Sequence, residues 1–107
     1  RDWVIVRLAH KGNIEKILVD TCHFKGNYPD SCSVEGCDIA YKEESKLGTD
    51  AIPWTMILPQ SKLSADHEHF FEDEINNKGP FTHVRLSIFP DGGVSRLRLW
   101  GRIVQER

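Results

Sequence analysis

Residues 81–104, FTHVRLSIFPDGGVSRLRLWGRIV, alternate apolar and polar side chains on both sides of Pro90-Asp91-Gly92-Gly93. Alternation with a period of two is typical of β-strands, and a Gly-containing segment between two such runs predicts a β-hairpin. In that hairpin Leu86 lies opposite Leu97, on a face that is apolar throughout. The chain is therefore expected to build its core from antiparallel strands.

The opposite face of this predicted hairpin is cationic. It collects His83, Arg85, Arg96, Arg98 and Trp100. Arg85 and Arg98 are expected to stand directly opposite each other, which costs free energy unless an anion or acidic side chains lie over the pair. Two interpretations stay open. The guanidinium groups capture the carboxylate of a ligand, or they pair with buried acids such as Asp20 or Asp2.

Strand and turn signals continue towards the amino terminus. Residues 3–8 and 14–20 are β-branched runs on either side of His10-Lys11-Gly12-Asn13, which predicts a second hairpin. A further strand is expected over residues 32–41, interrupted at Gly36.

The middle of the chain is less regular. Residues 41–50 are charged and predict a solvated loop, and residues 54–58 predict a strand bracketed by Pro53 and Pro59. Residues 64–75 begin with a capping serine, but their apolar spacing is poor, so a helix and an irregular loop stay open. About six short strands favour an antiparallel sandwich, fewer than the eight or so of a jelly roll.

Composition excludes several classes of protein. The 107 residues carry 14 Lys+Arg against 16 Asp+Glu, a net charge of -2, which argues against a nucleic-acid binder or a polybasic membrane adsorber. No apolar run approaches the roughly 18 to 20 residues of a membrane span. The length suits one domain at most. Because the chain opens on Arg1 and its only methionine is Met56, we expect that either a segment was removed or the chain is a piece of a longer protein.

The cysteines predict a reducing compartment. Cys22, Cys32 and Cys37 are odd in number and form no CxxC pair, so free thiols, buried or half-buried, are the favoured interpretation. A zinc site built from the three thiols and His23 is the alternative.

A polar cluster lies where the first predicted hairpin ends. Asp20, His23, Lys25 and Asn27 fall within eight residues, at the junction of a strand and a loop where sites are commonly built. His23 is suited to general acid or base catalysis near neutral pH, and a purely structural histidine is the alternative. The run Asp66-His67-Glu68-His69 carries metal-ligand residue types, but a solvated acidic segment is favoured because consecutive side chains diverge.

Two long segments resemble signature segments of the allantoicase family. They are residues 20–32, DTCHFKGNYPDSC, and residues 82–101, THVRLSIFPDGGVSRLRLWG. Two shorter pieces agree, residues 2–8, DWVIVRL, and residues 68–71, EHFF. Cys22 departs from the small alanine or serine expected there.

The resemblance implies a hydrolase of purine breakdown that converts allantoate and water to ureidoglycolate and urea. It implies a parent chain with two jelly-roll repeats of the galactose-binding type, of which this segment resembles the second. Residues 1–107 are then one incomplete all-β repeat, expected to be inactive alone. The resemblance also implies homo-oligomers, packing against the other repeat, and an intracellular protein that is cytoplasmic or, alternatively, peroxisomal. No cofactor is expected, with a divalent cation left open.

The substrate suggests roles for the polar residues. Allantoate carries one carboxylate and two ureido groups on a single carbon. We hypothesise that Arg85 or Arg98 binds the carboxylate, that Asn27 bonds a ureido group, and that His23 or His83 moves the proton. Asp20 and Lys25 complete the expected substrate-binding set.

Two other functions stay open. The final hairpin also resembles those of discoidin-type domains, which implies a non-catalytic module that binds a sugar or a lipid headgroup. Alternatively, this repeat is an assembly element and catalysis belongs to the other repeat.

Overall fold

One long strand organises the fold. In the computed structural model, which describes residues 1–105, β1 (Asp2–Asp20) runs for 19 residues and contacts three other strands. Its first half pairs with β5 (Phe81–Phe89), and its second half lies between β6 (Arg96–Ile103) and β4 (Glu68–Phe71). The register shifts between Arg7 and Gly12, where β1 passes from one half of the sheet to the other.

The remaining strands extend the first half of the sheet. β2 (Ser31–Cys37) pairs with β5 on one side and with β3 (Thr55–Lys62) on the other, so the order is β3-β2-β5-β1-β4 with β6 also on β1. Every pairing is antiparallel. The predicted all-β antiparallel fold is confirmed. The number of strands equals the predicted six only because two predicted strands join in β1 and β4 was not expected.

The core forms between the two halves of the sheet. Ile17 and Val19 of β1 pack in one cluster with Val34 of β2, Ile57 of β3 and Val84 of β5, and all five are fully buried. Burying each such side chain stabilises the fold by about 1.5 to 3 kcal/mol.

Both predicted hairpins are wrong. Residues 3–8 and 14–20 belong to the single strand β1, because Gly12 stays in the ladder instead of turning. β5 and β6 pair with β1 and not with each other, so Arg85 does not face Arg98. Instead of closing a hairpin, the intervening segment bonds elsewhere: Gly93 N donates to the Asn27 carbonyl at 2.9 Å and Ser95 N to the Asp20 carbonyl at 2.8 Å.

Three smaller predictions are also corrected. Residues 64–75 form neither a helix nor a wholly irregular loop, because Glu68–Phe71 adds to β1 as β4. Pro59 lies inside β3, which tolerates it as an edge strand. Gly36 continues β2 because it pairs with Thr55 of β3 and Val84 of β5, and the ring of Phe81 leaves no room for a side chain there.

The segment between β2 and β3 covers the outer side of the larger half of the sheet. It contains no further strand: the expected continuation to Tyr41 is replaced by a 3-10 helix (Tyr41–Lys46). Glu44 of this helix contacts His83 of β5, so the predicted solvated loop is partly anchored.

One edge of the sandwich is open. Val4 and Val6 lie on the same side of the β1–β5 pair as the buried Leu86, yet they are 50% and 39% exposed. They line an apolar groove of about 410 Å³ together with Leu97 of β6. No helix within residues 1–105 has the length and apolarity needed to cross a bilayer.

Candidate active site

A polar cleft lies where the carboxyl end of β1 meets the starts of β4 and β6. Because β1 is antiparallel to both neighbours, its last residue is level with their first residues: Asp20 pairs with Glu68 and with Arg96. The cleft measures about 410 Å³ and is lined by Asp20, Cys22, His23, Glu68, Ser95 and Arg96. It therefore joins part of the predicted Asp20–Asn27 cluster to two remote strands.

Asp20 is the buried anion of the cleft. Its Oδ1 accepts a hydrogen bond from Cys22 N at 2.8 Å, and its Oδ2 accepts one from Arg96 Nη2 at 3.2 Å. The side-chain and backbone hydrogen bonds from Cys22, with the guanidinium of Arg96, hold the pKa of Asp20 below its ordinary value. Asp20 is therefore ionised at neutral pH and anchors the base of the cleft.

Arg96 and Arg98 share one face of β6 but differ in their partners. Arg96 Nη2 bridges the carboxylates of Asp20 and Glu68 at 3.2 and 3.3 Å, which neutralises its charge. Arg98 is exposed beside Leu18, and within residues 1–105 it has no ion pair. Of the two arginines, only Arg98 offers an uncompensated cation next to the cleft.

The Cys22 thiol lies in the cleft and stays protonated. Its hydrogen bond to the Asp20 carboxylate, with desolvation, raises the pKa of Cys22 to about 11. Burial raises the pKa of Cys32 to about 12 and that of Cys37 to about 11. All three thiols are free, as predicted, and at neutral pH none of them supplies a thiolate nucleophile.

His23 is the exposed imidazole of the cleft. Its backbone is left-handed, with φ of 74°, and its N–H donates to Asp66 Oδ1 at 2.8 Å. An imidazole that lines a polar cleft and is open to solvent can reach a bound molecule and exchange protons with it.

Lys25 and Asn27 lie further along the same loop. Both are exposed, and neither lines the cleft. The carbonyl of Asn27 is engaged by Gly93 N, so the loop is tied to the segment that leads into β6. The two residues are therefore near the cleft in sequence but outside its lining.

Arg85 is far from this cleft in the sheet and has a local partner. Its Nη2 and Nε donate to Glu35 Oε1 at 2.9 and 3.2 Å, and its guanidinium lies 4.5 Å from the centre of the Trp54 ring. The pair is mostly buried. The predicted pairing of an arginine with Asp20 is observed at Arg96, whereas Arg85 pairs with Glu35, a residue of the neighbouring strand β2.

His83 also lies on the other half of the sheet. It is 3% exposed, its Nε2 lies 2.9 Å from Glu44 Oε1, and its Nδ1 lies 2.8 Å from the Thr82 hydroxyl. The hydrogen bond from His83, helped by Arg7, holds the pKa of Glu44 below its ordinary value. Both nitrogens of His83 are occupied by neighbours in the fold.

The lowered pKa of Glu44 predicts an acid-dependent loss of stability. Because the folded value lies below the unfolded value of 4.5, the stabilisation is present above about pH 4.5 and is lost as the pH falls through the folded pKa. We expect the unfolding free energy of Glu44→Gln to fall less steeply with acid than that of the parent, in denaturant titrations from neutral to acidic pH. Glu43→Gln, on the same 3-10 helix, is the matched control. Equal slopes for Glu44→Gln and the parent would contradict the prediction.

The Asp66–His69 run does not form a metal centre. His69 is engaged on both nitrogens, by the Val19 carbonyl at 2.9 Å from Nδ1 and by Ser64 N at 2.9 Å from Nε2. Among residues 1–105, no group of three or more His, Cys, Asp or Glu side chains is arranged to hold a metal ion. This geometry favours a structural role for His69 over metal ligation.

The sequence predictions found part of the cleft. Asp20 and His23 line it, Lys25 and Asn27 lie further along the same loop outside its lining, and Arg98 follows Arg96 on β6, whereas His83 and Arg85 are elsewhere. Ser95 was not assigned to a site, whereas Arg96 belonged to the predicted cationic face and Glu68 to the Asp66–His69 run. The spacing of Arg96, Arg98 and Trp100 on alternate positions of one strand was the available signal for Arg96.

The fold and the cleft define a class of protein: an antiparallel β-sandwich domain with a polar, ion-paired cleft at its strand ends, suited to a small polar molecule. The family model described as Allantoicase repeat matches residues 1–104. The chain belongs to the allantoicase family.

Relatives and solved structures agree with this assignment. The chain is 54% identical over 102 residues to a probable allantoicase of Pseudomonas savastanoi, covering 95% of this chain and 31% of that protein. It is 55% identical over 104 residues to a probable allantoicase of Stutzerimonas stutzeri, covering 97% and 31%. The crystal structure of an allantoicase from Saccharomyces cerevisiae matches with a TM-score of 0.74 and 40% identity, over 94% of this chain and 27% of that one. The chain thus spans about a third of the length of these relatives.

Proposed function

We propose that this domain is part of a hydrolase that converts allantoate and water to ureidoglycolate and urea, and that the cleft of Asp20, His23 and Arg96 contributes to its substrate site. Membership of the allantoicase family supports the reaction. The observation that carries the site is the exposed imidazole of His23 in an ionised cleft with the uncompensated cation of Arg98 next to it.

The reaction divides into tasks that these side chains can perform. The bond between the central carbon of allantoate and one ureido nitrogen breaks, the oxygen of water bonds to that carbon, and the nitrogen leaves with a proton as urea. Arg98 binds the carboxylate, since Arg96 is already neutralised by two acids. His23 transfers the proton, since its imidazole is exposed whereas His83 is buried with both nitrogens engaged.

The remaining predicted residues take supporting roles in this proposal. Asp20 holds Arg96 and the Cys22 backbone, so it shapes the cleft and does not itself need to touch the substrate. Lys25 and Asn27 approach the ureido groups from the rim of the loop. The structural pairing of Arg85 with Glu35 supports leaving Arg85 out of the site.

The proposal includes a partner. The apolar groove lined by Val4 and Val6 exposes an apolar part of the sheet face, which a further segment of the longer protein would cover, either the other repeat or a second subunit. Relatives about three times as long support this. The three free thiols support an intracellular location.

Arg98→Ala in the full-length protein tests the proposed function. Removing the charge-assisted hydrogen bonds to the substrate carboxylate is expected to raise KM for allantoate by about 10- to 100-fold, measured by urea release. Arg102→Ala, an exposed arginine four residues along β6, should leave KM unchanged.

Three results would contradict parts of this proposal. A full-length protein that binds allantoate but releases no urea would indicate a recognition module. An unchanged KM in Arg98→Ala would remove Arg98 from the site. Full activity of the isolated 107-residue chain would show that the partner is not needed.

A further inference from the structure

We propose that Asp66 is a positioning residue for His23: its carboxylate holds the His23 backbone in the conformation that places the imidazole in the cleft. The inference deepens the proposed function and rests on it. It is based on the hydrogen bond between His23 and Asp66, two residues with an uncommon backbone conformation.

His23 and Asp66 share an uncommon conformation. Within residues 1–105 they are the two non-glycine residues with positive φ, at 74° and 48°. A left-handed backbone is rare for residues with a side chain, although aspartate and histidine tolerate it better than most. Such residues persist where their surroundings hold them, and they concentrate at functional sites.

The two residues hold each other by hydrogen bonds. His23 N donates to Asp66 Oδ1 at 2.8 Å, and Asp66 N donates to the carbonyl of Phe24 at 3.1 Å. The side chain of Asp66 therefore bonds the backbone of His23, and the backbone amide of Asp66 bonds Phe24, the residue that follows His23. The carboxylate is a charged acceptor, which makes the bond to the His23 amide stronger than one between neutral groups.

The segment that carries Asp66 is itself anchored. Thr21 is fully buried, and its hydroxyl donates to the Ser64 carbonyl at 2.6 Å. Thr21 N donates to the His67 carbonyl at 2.9 Å, and Ser64 N donates to His69 Nε2 at 2.9 Å. Asp66 thus projects from a fixed segment, and a fixed acceptor is what a positioning contact requires.

The turn that contains His23 is closed by a backbone hydrogen bond from Phe24 N to the Thr21 carbonyl at 2.9 Å, and the Asp66 carboxylate is the side chain that bonds the His23 amide itself. The His23 side chain is exposed and makes no hydrogen bond within residues 1–105, so packing does not orient it. Without the Asp66 carboxylate the His23 backbone can relax out of the left-handed region, and the imidazole moves away from the cleft. Asp66 acts through His23 and does not itself line the cleft.

Two substitutions of Asp66 distinguish the loss of the hydrogen-bond acceptor from a change in backbone conformation. Asp66→Gly keeps a residue that adopts the left-handed conformation freely but removes the acceptor, whereas Asp66→Asn keeps both an acceptor oxygen and tolerance of that conformation. In the full-length protein, Asp66→Gly is expected to lower kcat for urea release by about 10- to 100-fold with little change in KM, because a misplaced catalytic group affects turnover. Asp66→Asn should retain kcat within about threefold, since the amide oxygen replaces the carboxylate oxygen as acceptor.

A double-mutant cycle tests whether Asp66 acts through His23. In a His23→Ala background, Asp66→Gly should cause no further loss of kcat. An equal loss in both backgrounds would overturn the inference, as would an Asp66→Asn variant as impaired as Asp66→Gly.

Amide exchange at His23 gives a readout independent of turnover. By NMR, the His23 amide of Asp66→Gly is expected to exchange with solvent at least about tenfold faster than in the parent, because its acceptor is gone. Unchanged exchange would overturn the positioning contact itself. If the His23 amide exchanges faster in Asp66→Gly but kcat is normal in both Asp66→Gly and His23→Ala, the positioning contact exists and the proposed catalytic role of His23 is wrong.

Discussion

Replacing His23 with alanine in the full-length protein is expected to lower kcat for urea release by about 100- to 10,000-fold, the usual contribution of a positioned general acid or base. The departing ureido nitrogen needs a proton, and His23 is the solvent-exposed imidazole that lines the cleft. The expected change in KM is small because the substrate carboxylate is assigned to Arg98. Steady-state kinetics with allantoate measure both constants.

His10→Ala provides the matched histidine control. His10 is exposed on β1 and lies outside the cleft, so its removal should leave kcat and KM unchanged. His10→Ala should unfold at the temperature of the parent because its side chain is exposed, whereas His23→Ala is expected to lose about 1 kcal/mol because alanine tolerates the left-handed backbone of this position less well. Wild-type turnover in His23→Ala would remove His23 from the mechanism, and equal losses in both variants would point to a general effect of the substitutions.

Gly101→Ala is expected to destabilise the fold by about 3 kcal/mol, at the upper end of the cost of overpacking. Gly101 lies opposite Ile14, where the register of β1 and β6 shifts, and a Cβ at this position collides with the carbonyl oxygen of Asn13. That atom belongs to the backbone of the central strand, so it cannot move aside as a flexible side chain could. Thermal unfolding should show a fall in Tm of roughly 10 to 20 °C for a domain of this size.

Gly26→Ala is the matched control for this substitution. Gly26 lies in the loop after β1, and a Cβ there meets no atom within 4 Å. We expect its unfolding free energy to stay within about 0.5 kcal/mol of the parent. A Gly101→Ala variant as stable as Gly26→Ala would mean that β1 and β6 can separate at the bulge without loss of the core.

Strand positions were predictable because they depend on local alternation, whereas strand pairing was not. β5 and β6 lie within the residues predicted as strands. The predicted hairpin between them is wrong because each of the two strands pairs with β1 instead. The same strand was divided in two at Gly12, since a Gly-Asn pair commonly turns a chain. Here Gly12 pairs with Phe81 of β5 and with Ile103 of β6, so the chain continues through it as one strand.

The candidate site was predictable where its residues are close in sequence. Asp20 and His23 belong to one strand end and its loop, and their joint location was correctly anticipated. Arg96 and Glu68 enter the cleft only through their register with Asp20, which no local pattern encodes. Arg85 shows the reverse case, because an arginine expected near a ligand is neutralised by Glu35.

By itself, the sequence determined the all-β class, the approximate strand positions, the free thiols and the family resemblance. These follow from local periodicity, residue type and motif. Only the tertiary structure decided which arginine remains uncompensated, which histidine is open to solvent, and which acid holds His23 in place. The physical reason is that charge compensation, burial and hydrogen bonding depend on neighbours far apart in the chain. The 76 residues that separate Asp20 from Arg96 become a contact of 3.2 Å only when β1 and β6 pair.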